Sequence, residues 1–523
     1  MIVSLWHDPR INRIEKSAQA LRSPNQQKHM SQLTQTATKG AAWNSVASLA
    51  RIASALLILP ILTRLLDPAD FGILAIGMPI VLFMMLFNDM GIGPALVRAQ
   101  APTKTFWSTA FFTNLFMGSL LTLTVFLTAG LVANGFNLPR AEPILKALAF
   151  ALLLNCLSVV PGAWLLRKFK FRDLAIVEIV SSMAGIAVAI YTAYNGAGVW
   201  ALVWQQLTMF ALKSLLLWML ARVPIALTFD FNEIKVIIPF ISNLLGAQVI
   251  NFFARNSDNF IIARVLGDTA LGFYSIAYRI MLMPIQFLSW GVASVLLATL
   301  STFQTDLPRV KRACLRVFRV IALISFPLMA GIAALSEPII GFLLGPKMLP
   351  AAPILAILAP IGAFQSLSSA QGAMFMTLGR TDVLLKYTIL TTFVVVIAFL
   401  IGTQYGLVGT AAAYLIGNII LVIPIFRSLL GLMGGRLSDM WQAVGMTAIN
   451  STLMGVVAFL AADYCRLMGA TYFETLLVCV PIGVALYALL LLICDRGAYT
   501  ELLDLLKKLV SKDQAGIPVA SKT

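Results

Sequence analysis

Charged side chains within long apolar segments are the residues of this sequence best able to perform chemistry. Six residues meet this description: Arg51, Glu178, Lys213, Arg255, Asp258 and Arg279. If such segments cross a bilayer, a charge near the centre costs roughly 2.5–3.5 kcal/mol on insertion scales, so each one needs a partner or a ligand. The apolar segments after residue 300 carry essentially no charge away from their ends. The sequence therefore predicts one polar cavity, formed by the first, second, seventh and eighth segments.

Polar residues in three of these segments repeat at helical spacing, and each set includes an arginine. The sets are Asn44 with Arg51; Gln248, Asn251, Arg255 and Asp258; and Arg279, Gln286 and Trp290. Intervals of three, four and seven residues place side chains on one face of a helix. Three such faces, each with an arginine near mid-depth, predict a cavity with a cationic floor.

Structural ion pairs are the alternative explanation for four of the charged residues. Arg255 and Asp258 are one helical turn apart and could neutralise each other. Glu178 and Lys213 lie on neighbouring predicted helices and could do the same. The same Asp258, Glu178 and Lys213 are also candidates for ion coupling. Arg51 and Arg279 have no evident acidic partner within their segments, and we expect both to contact a ligand.

The composition is that of a membrane protein. Of 523 residues, 59% are hydrophobic and only 11% are charged, whereas soluble domains carry about 25% charged residues. The apolar residues form blocks of roughly 20, which is the helix length that crosses the hydrocarbon core. The net charge of +16 resides in joints between these blocks. Membrane topology and anionic lipid explain it better than nucleic acid does.

Fourteen such blocks define the predicted organisation of an all-α integral membrane protein. The predicted parts are a basic tail (1–38), a lobe of six helices (39–222), a linker (223–235), a second lobe of six helices (236–430), two further helices (431–494) and a C-terminal tail (495–523). Lysine and arginine collect in alternate joints. By the positive-inside rule both termini and the linker are cytoplasmic.

An internal repeat supports the division into two lobes. The segment RLLDPADFGILAI from Arg64 and the segment RVLGDTALGFYSI from Arg264 share identical residues at four positions. The copies lie 200 residues and six predicted helices apart, so they would have the same orientation in the membrane. Parallel repeats of this kind occur in transporters built from two bundled lobes.

Several enzyme classes are excluded by what the predicted membrane region lacks. The only two histidines of the sequence, His7 and His29, lie in the N-terminal tail. No histidine-based triad or metal site can therefore form within the membrane. The five cysteines are scattered without ligand spacing, and we assign them to packing. The outward joints are too short to form a catalytic domain. We therefore predict no catalytic residue, no metal and no cofactor.

A resemblance to a known family is carried by the turn RLLDPADFG, by the segment TKGAAWNSVASLARI before it and by the later stretch RNSDNFIIARVLG. With these motifs the sequence resembles the polysaccharide transporter family of the multidrug/oligosaccharidyl-lipid/polysaccharide exporter superfamily. The resemblance covers residues 35–495. The family includes the flippases for O-antigen and exopolysaccharide repeat units. It implies two lobes that alternate between inward-open and outward-open states. It also implies transfer of undecaprenyl-diphosphate-linked oligosaccharide to the periplasmic leaflet of a bacterial inner membrane, with a polysaccharide polymerase and chain-length machinery as partners.

A diphosphate substrate gives the predicted arginines a chemical role. A guanidinium binds phosphate oxygens in pairs and stays charged in a low-dielectric space. The neighbouring Asn and Gln side chains would bind sugar hydroxyls, and the Trp290 ring would stack on a pyranose.

Two other functions compete with this interpretation. A cation-coupled multidrug exporter of the same superfamily would be expected to carry acidic residues within its lobes, where this sequence has Arg51 in the first segment. A membrane glycosyltransferase or polysaccharide polymerase needs a general base or an outward acceptor loop. The short outward joints argue against that second alternative.

Overall fold

The computed structural model describes residue 43 and residues 58–89, 92–99, 102–300 and 307–501. Side chains are described for most of these residues, the main exceptions being 232–248 and 286–300. The described residues are predominantly helical and contain no strand. The predicted all-α class is therefore confirmed.

The helices follow the predicted apolar blocks. Helix α1 is described over residues 58–65, and the others are α2 Pro68–Asp89, α3 Ile92–Arg98, α4 Lys104–Gly135, α5 Ala141–Arg167, α6 Phe171–Tyr194, α7 Trp200–Ala221, α8 Phe231–Leu300, α9 Leu307–Ala334, α10 Ser336–Leu344, α11 Ala352–Thr377, α12 Thr381–Gly402, α13 Gly406–Leu432, α14 Leu437–Leu467, α15 Tyr472–Cys494 and α16 from residue 496. Ten stretches of described residues are long and apolar enough to cross a membrane. The count of fourteen spans remains a prediction.

Local sequence signals set the helix boundaries. Helix α14 is followed by Gly469, whose φ of 75° lies in the left-handed region that glycine adopts at low cost. Helix α15 then begins with a capping box, in which the Thr471 hydroxyl and the Glu474 carboxylate each accept a hydrogen bond from the other residue's backbone N–H. At the end of α5, the Arg167 guanidinium donates to three carbonyl groups at the end of α3 and so satisfies them.

The described residues divide into two compact units. One unit contains the described residues up to Ile276 together with Leu343–Met348, and the other contains Ala277–Phe342 and the residues from Leu349 onward. In the first unit the core consists of buried apolar side chains and includes Leu148 and Leu152 of α5, which are fully buried. In the second unit the core surrounds Phe318 and Phe375.

Both copies of the sequence repeat interrupt a helix at the same place. Helix α1 ends at Leu65, and α2 begins at Pro68. The second copy has the equivalent break 200 residues later, because α8 is interrupted at Gly267, with φ 85° and ψ −177°. Glycine is the residue for which this backbone conformation is readily accessible. The repeat found in the sequence is therefore also a repeat of backbone structure.

Gly72 and Gly272, which are equivalent in the repeat, make reciprocal close contacts within the first unit. A Cβ atom added at Gly72 would lie 1.8 Å from the Asp268 carbonyl oxygen, and one at Gly272 would lie 1.9 Å from the Pro68 carbonyl oxygen. Pro68 and Asp268 are themselves equivalent at the same offset. Helices approach this closely only where neither carries a side chain at the crossing. The two copies thus cross with local two-fold symmetry, directly after their helix breaks.

Candidate functional site

Arg279 carries an exposed charge within the long apolar helix α8. It lies twelve residues after Gly267 in α8, which is about 18 Å along a helix. Its side chain is exposed, whereas Ala277 and Met281 beside it are fully buried. No acidic side chain forms an ion pair with it within the described ranges. An exposed guanidinium within a membrane-spanning helix requires water or a ligand, because lipid cannot solvate it.

Asp258 is held by uncharged donors. It is buried, and its carboxylate accepts a hydrogen bond of 2.8 Å from the Asn259 backbone N–H and one of 3.2 Å from the Tyr274 hydroxyl. Because Asp258 and Tyr274 lie on opposite sides of Gly267, the two halves of α8 run alongside each other. Arg255 is exposed, and the described part of the chain shows no ion pair between it and Asp258. The alternative of an Arg255–Asp258 pair is therefore not observed.

Glu178 and Lys213 form the ion pair that the sequence offered as an alternative to a functional role. The Lys213 Nζ atom on α7 lies 2.9 Å from the Glu178 Oε2 atom on α6, and the two side chains are 31% and 25% exposed. Both residues are about two helical turns inside the ends of their helices. The pair therefore brings two opposite charges into the membrane region together.

We expect the Glu178→Gln variant to be less stable than the wild type by about 2–3 kcal/mol, because it leaves the Lys213 charge unpaired in an apolar environment. The double variant Glu178→Gln with Lys213→Gln should recover most of that loss. Thermal unfolding of the purified protein in detergent measures both. A double variant that is stable but unable to transport would contradict a purely structural pair and indicate ion coupling instead.

The remaining predicted site residues lie partly outside the described structure. Asn44 and Arg51 are not among the described residues. The backbone at four others is helical and belongs to α8, but their side chains are not described: Gln248, Asn251, Gln286 and Trp290. Of the predicted residues, the structure brings Glu178 and Lys213 into direct contact. Sequence reasoning missed Tyr274, although a reversal at Gly267 would have placed it level with Asp258.

The sequence predicts no metal site within the membrane region. Within the part of the chain that the structure describes, no group of three or more His, Cys, Asp or Glu side chains is arranged to hold a metal ion. Of the charged residues predicted for the site, the structure describes the exposed Arg255 and Arg279, the Glu178–Lys213 pair and the hydrogen-bonded Asp258. The two exposed guanidinium groups are able to bind an anion.

Comparison with known proteins identifies relatives along most of the chain. The lipopolysaccharide biosynthesis protein WzxC of Escherichia coli (strain K12) is 23% identical over 74% of this chain and 80% of its own length. The teichuronic acid biosynthesis protein TuaB of Bacillus subtilis (strain 168) is 24% identical over 82% of this chain and 90% of its own length.

Solved structures share the fold. The lipid II flippase MurJ in an inward closed conformation matches with a TM-score of 0.70 at 16% identity, covering 86% of this chain and 98% of its own. An inward-facing multidrug resistance transporter of the MATE family matches with a TM-score of 0.60 at 17% identity, covering 74% and 94%. Residues 61–353 match the model of a family described as polysaccharide biosynthesis protein. This match spans more than half of the chain, and the chain belongs to that family.

Proposed function

We propose that this protein is a flippase that moves undecaprenyl-diphosphate-linked oligosaccharide repeat units from the cytoplasmic to the periplasmic leaflet of a bacterial inner membrane. The product would serve the synthesis of lipopolysaccharide O-antigen or exopolysaccharide. The observation that carries the proposal is the exposed Arg279 charge deep within an apolar helix. The relatives named for lipopolysaccharide and teichuronic acid biosynthesis support this substrate class.

The proposed mechanism is alternating access between the two predicted lobes, 39–222 and 236–430, joined by the linker 223–235. Arg51, Arg255 and Arg279 bind the diphosphate, because permanently charged guanidinium groups replace its lost water. The Trp290 ring stacks on the saccharide. Amide side chains in the same segments hydrogen-bond to the saccharide, and these are Asn44, Gln248, Asn251 and Gln286. The lipid tail stays in the bilayer, so the polar head group alone crosses through the cavity. No covalent bond is made or broken.

Energy coupling is proposed to involve Asp258 rather than Glu178. The Asp258 carboxylate is buried and receives hydrogen bonds only from neutral donors in the described structure. Its charge is therefore the one that a proton could remove without breaking an ion pair. Glu178 is already neutralised by Lys213. The membrane potential can in addition act directly on a charged head group.

A cation-coupled multidrug exporter is the competing function, because the MATE fold is the same. Exposed positive charges at Arg255 and Arg279 disfavour it, since they would repel a cationic drug. We further propose that both termini are cytoplasmic and that a polysaccharide polymerase with its chain-length machinery acts on the flipped lipid. The basic joints support that orientation.

The test is complementation of flippase-null strains that lack surface polysaccharide, each with a different repeat unit. We expect the wild-type protein to restore surface polymer in at least one background. Export of a cationic dye from the same cells is measured in parallel. Dye export without polymer in every background would replace the flippase proposal with the drug-exporter one.

A further inference from the structure

Helix α11 exposes a polar face within a span that is otherwise apolar. Gln365 is partly exposed, Ser368 is exposed, and Ser369 and Gly372 are partly exposed. At 100° per residue these four positions lie within an arc of about 100° around the helix. The intervening residues Ser366, Leu367 and Ala370 point elsewhere and are buried. The exposed side of this helix therefore presents hydrogen-bonding groups.

Neighbouring helices show what a lipid-facing surface of this protein looks like. Helix α12 exposes Leu385, Ile389 and Phe393, and α13 exposes Ile416 and Ile420. By contrast, α11 has no exposed large hydrophobic side chain between Ala352 and Phe375, and Met376 is its first one. A glutamine amide in a membrane helix is costly to expose to lipid and instead faces the protein interior or a water-filled space. We therefore expect this face of α11 to line an aqueous space.

The polar groups of this face have free acceptor capacity and no charge. The Gln365 amide donates a hydrogen bond of 2.9 Å to the Tyr414 hydroxyl on α13, which leaves its carbonyl oxygen to accept. The Ser368 and Ser369 hydroxyls donate to backbone carbonyl oxygens one turn back, and their oxygen lone pairs remain available. Uncharged acceptors can accept hydrogen bonds from hydroxyl groups. They do not attract the negative charge of a phosphate.

Gly372 adds room to the same face. A Cβ atom placed there would meet no other atom within 4 Å. The helix surface is thus recessed one turn beyond Ser368 and Ser369, where a bulky residue would otherwise fill the space. A pyranose ring needs both hydrogen-bond partners and space at the level of the helix backbone.

We propose that Gln365, Ser368, Ser369 and Gly372 form a saccharide subsite that binds sugar hydroxyls of the transported lipid and selects among repeat units. The inference rests on the proposed flippase function and assigns its sugar specificity to α11, apart from the arginines that bind diphosphate. Tyr414 acts as a positioning residue, because its hydroxyl accepts the Gln365 hydrogen bond and fixes the orientation of that amide.

Binding of two lipids separates this subsite from the diphosphate site. The full-length protein in detergent is titrated with undecaprenyl diphosphate and with the lipid-linked repeat unit extracted from a flippase-null strain. Gln365→Ala and the double variant Ser368→Ala with Ser369→Ala should weaken binding of the glycosylated lipid at least tenfold and change binding of bare undecaprenyl diphosphate less than twofold. Arg279→Gln should weaken binding of both lipids.

Equal effects of the α11 variants on both lipids, or no effect on either, would overturn the subsite and leave the flippase proposal standing. Failure of the wild type to bind either lipid would refute both.

A steric variant provides a second measurement that does not depend on hydrogen bonds. Gly372→Leu has room in the protein and should unfold at the wild-type temperature, yet it should lower surface polymer at least tenfold in the complemented strain. The matched control is Gly431→Leu on α13, another exposed helical glycine with no atom within 4 Å of its added Cβ. Wild-type polymer levels with Gly372→Leu would place this face against lipid and exclude the subsite.

Discussion

Replacing Gly272 with leucine should destabilise the protein by about 3 kcal/mol or more and abolish transport. The reason is steric, because the first side-chain carbon would already lie 1.9 Å from the Pro68 carbonyl oxygen. A backbone atom cannot move aside as a flexible side chain can, so the two crossing helices must separate. Overpacking of side chains alone costs about 1–3 kcal/mol. Gly72→Leu should have a similar effect, since its added Cβ would lie 1.8 Å from the Asp268 carbonyl oxygen.

Thermal unfolding of the purified variants in detergent measures this effect, and surface polymer in the complemented strain reports transport. Gly135→Leu is the matched control, because a Cβ at that exposed helical position meets no atom within 4 Å. The variant with both Gly72→Leu and Gly272→Leu should lose less stability than the sum of the two single variants, because both act on one crossing. If either single variant unfolded at the wild-type temperature, the close crossing of the repeats would be refuted.

The membrane class and the helix boundaries could be predicted from sequence because they depend on local composition. Blocks of apolar residues must be helical in a bilayer, and the joints between them contain glycine, proline and charged residues. The predicted joint between the seventh and eighth blocks, for example, contains Gly267, where α8 is interrupted. The repeat at an offset of 200 was likewise visible as identical residues.

Contacts between distant parts of the chain could not be predicted in the same way. Leu343–Met348 packs with the first unit although it lies far from it in sequence, and the Lys347 ammonium donates a hydrogen bond of 2.8 Å to the Asp67 carboxylate there. Hydropathy contains no information on such contacts. The predicted division into lobes rests on the order of the spans, whereas packing decides which residues share a unit.

The Glu178–Lys213 pair could be predicted because charges within apolar segments are easy to recognise. Glu178 and Lys213 were identified both as site candidates and as a pair, and the structure places them in contact. The partner of Asp258 was missed, because Tyr274 is an uncharged residue whose proximity depends on the reversal at Gly267. The polar face of α11 was missed for a related reason. Its signal was the spacing of Gln365, Ser368, Ser369 and Gly372, which a search for charges does not detect.

Arg279→Ala should reduce surface polymer at least tenfold in a complemented flippase-null strain while leaving the unfolding temperature unchanged or higher. The exposed guanidinium has no ion pair within the described structure, so its removal breaks no such contact and relieves the cost of a charge in the membrane region. Arg279→Lys should retain an intermediate level of transport, because an ammonium keeps the charge but cannot bind two phosphate oxygens in a planar fork.

Arg264→Ala is the matched control for the loss of a positive charge, because Arg264 is also exposed but lies beside the helix break at Gly267. Membrane levels of all variants are equalised by immunoblotting before polymer is measured. A structural role for Arg279 predicts that stability and transport fall together. A ligand-binding role predicts that transport falls alone, and that the loss is greater for Arg279→Ala than for Arg264→Ala. Wild-type polymer with Arg279→Ala would remove the observation on which the flippase mechanism depends.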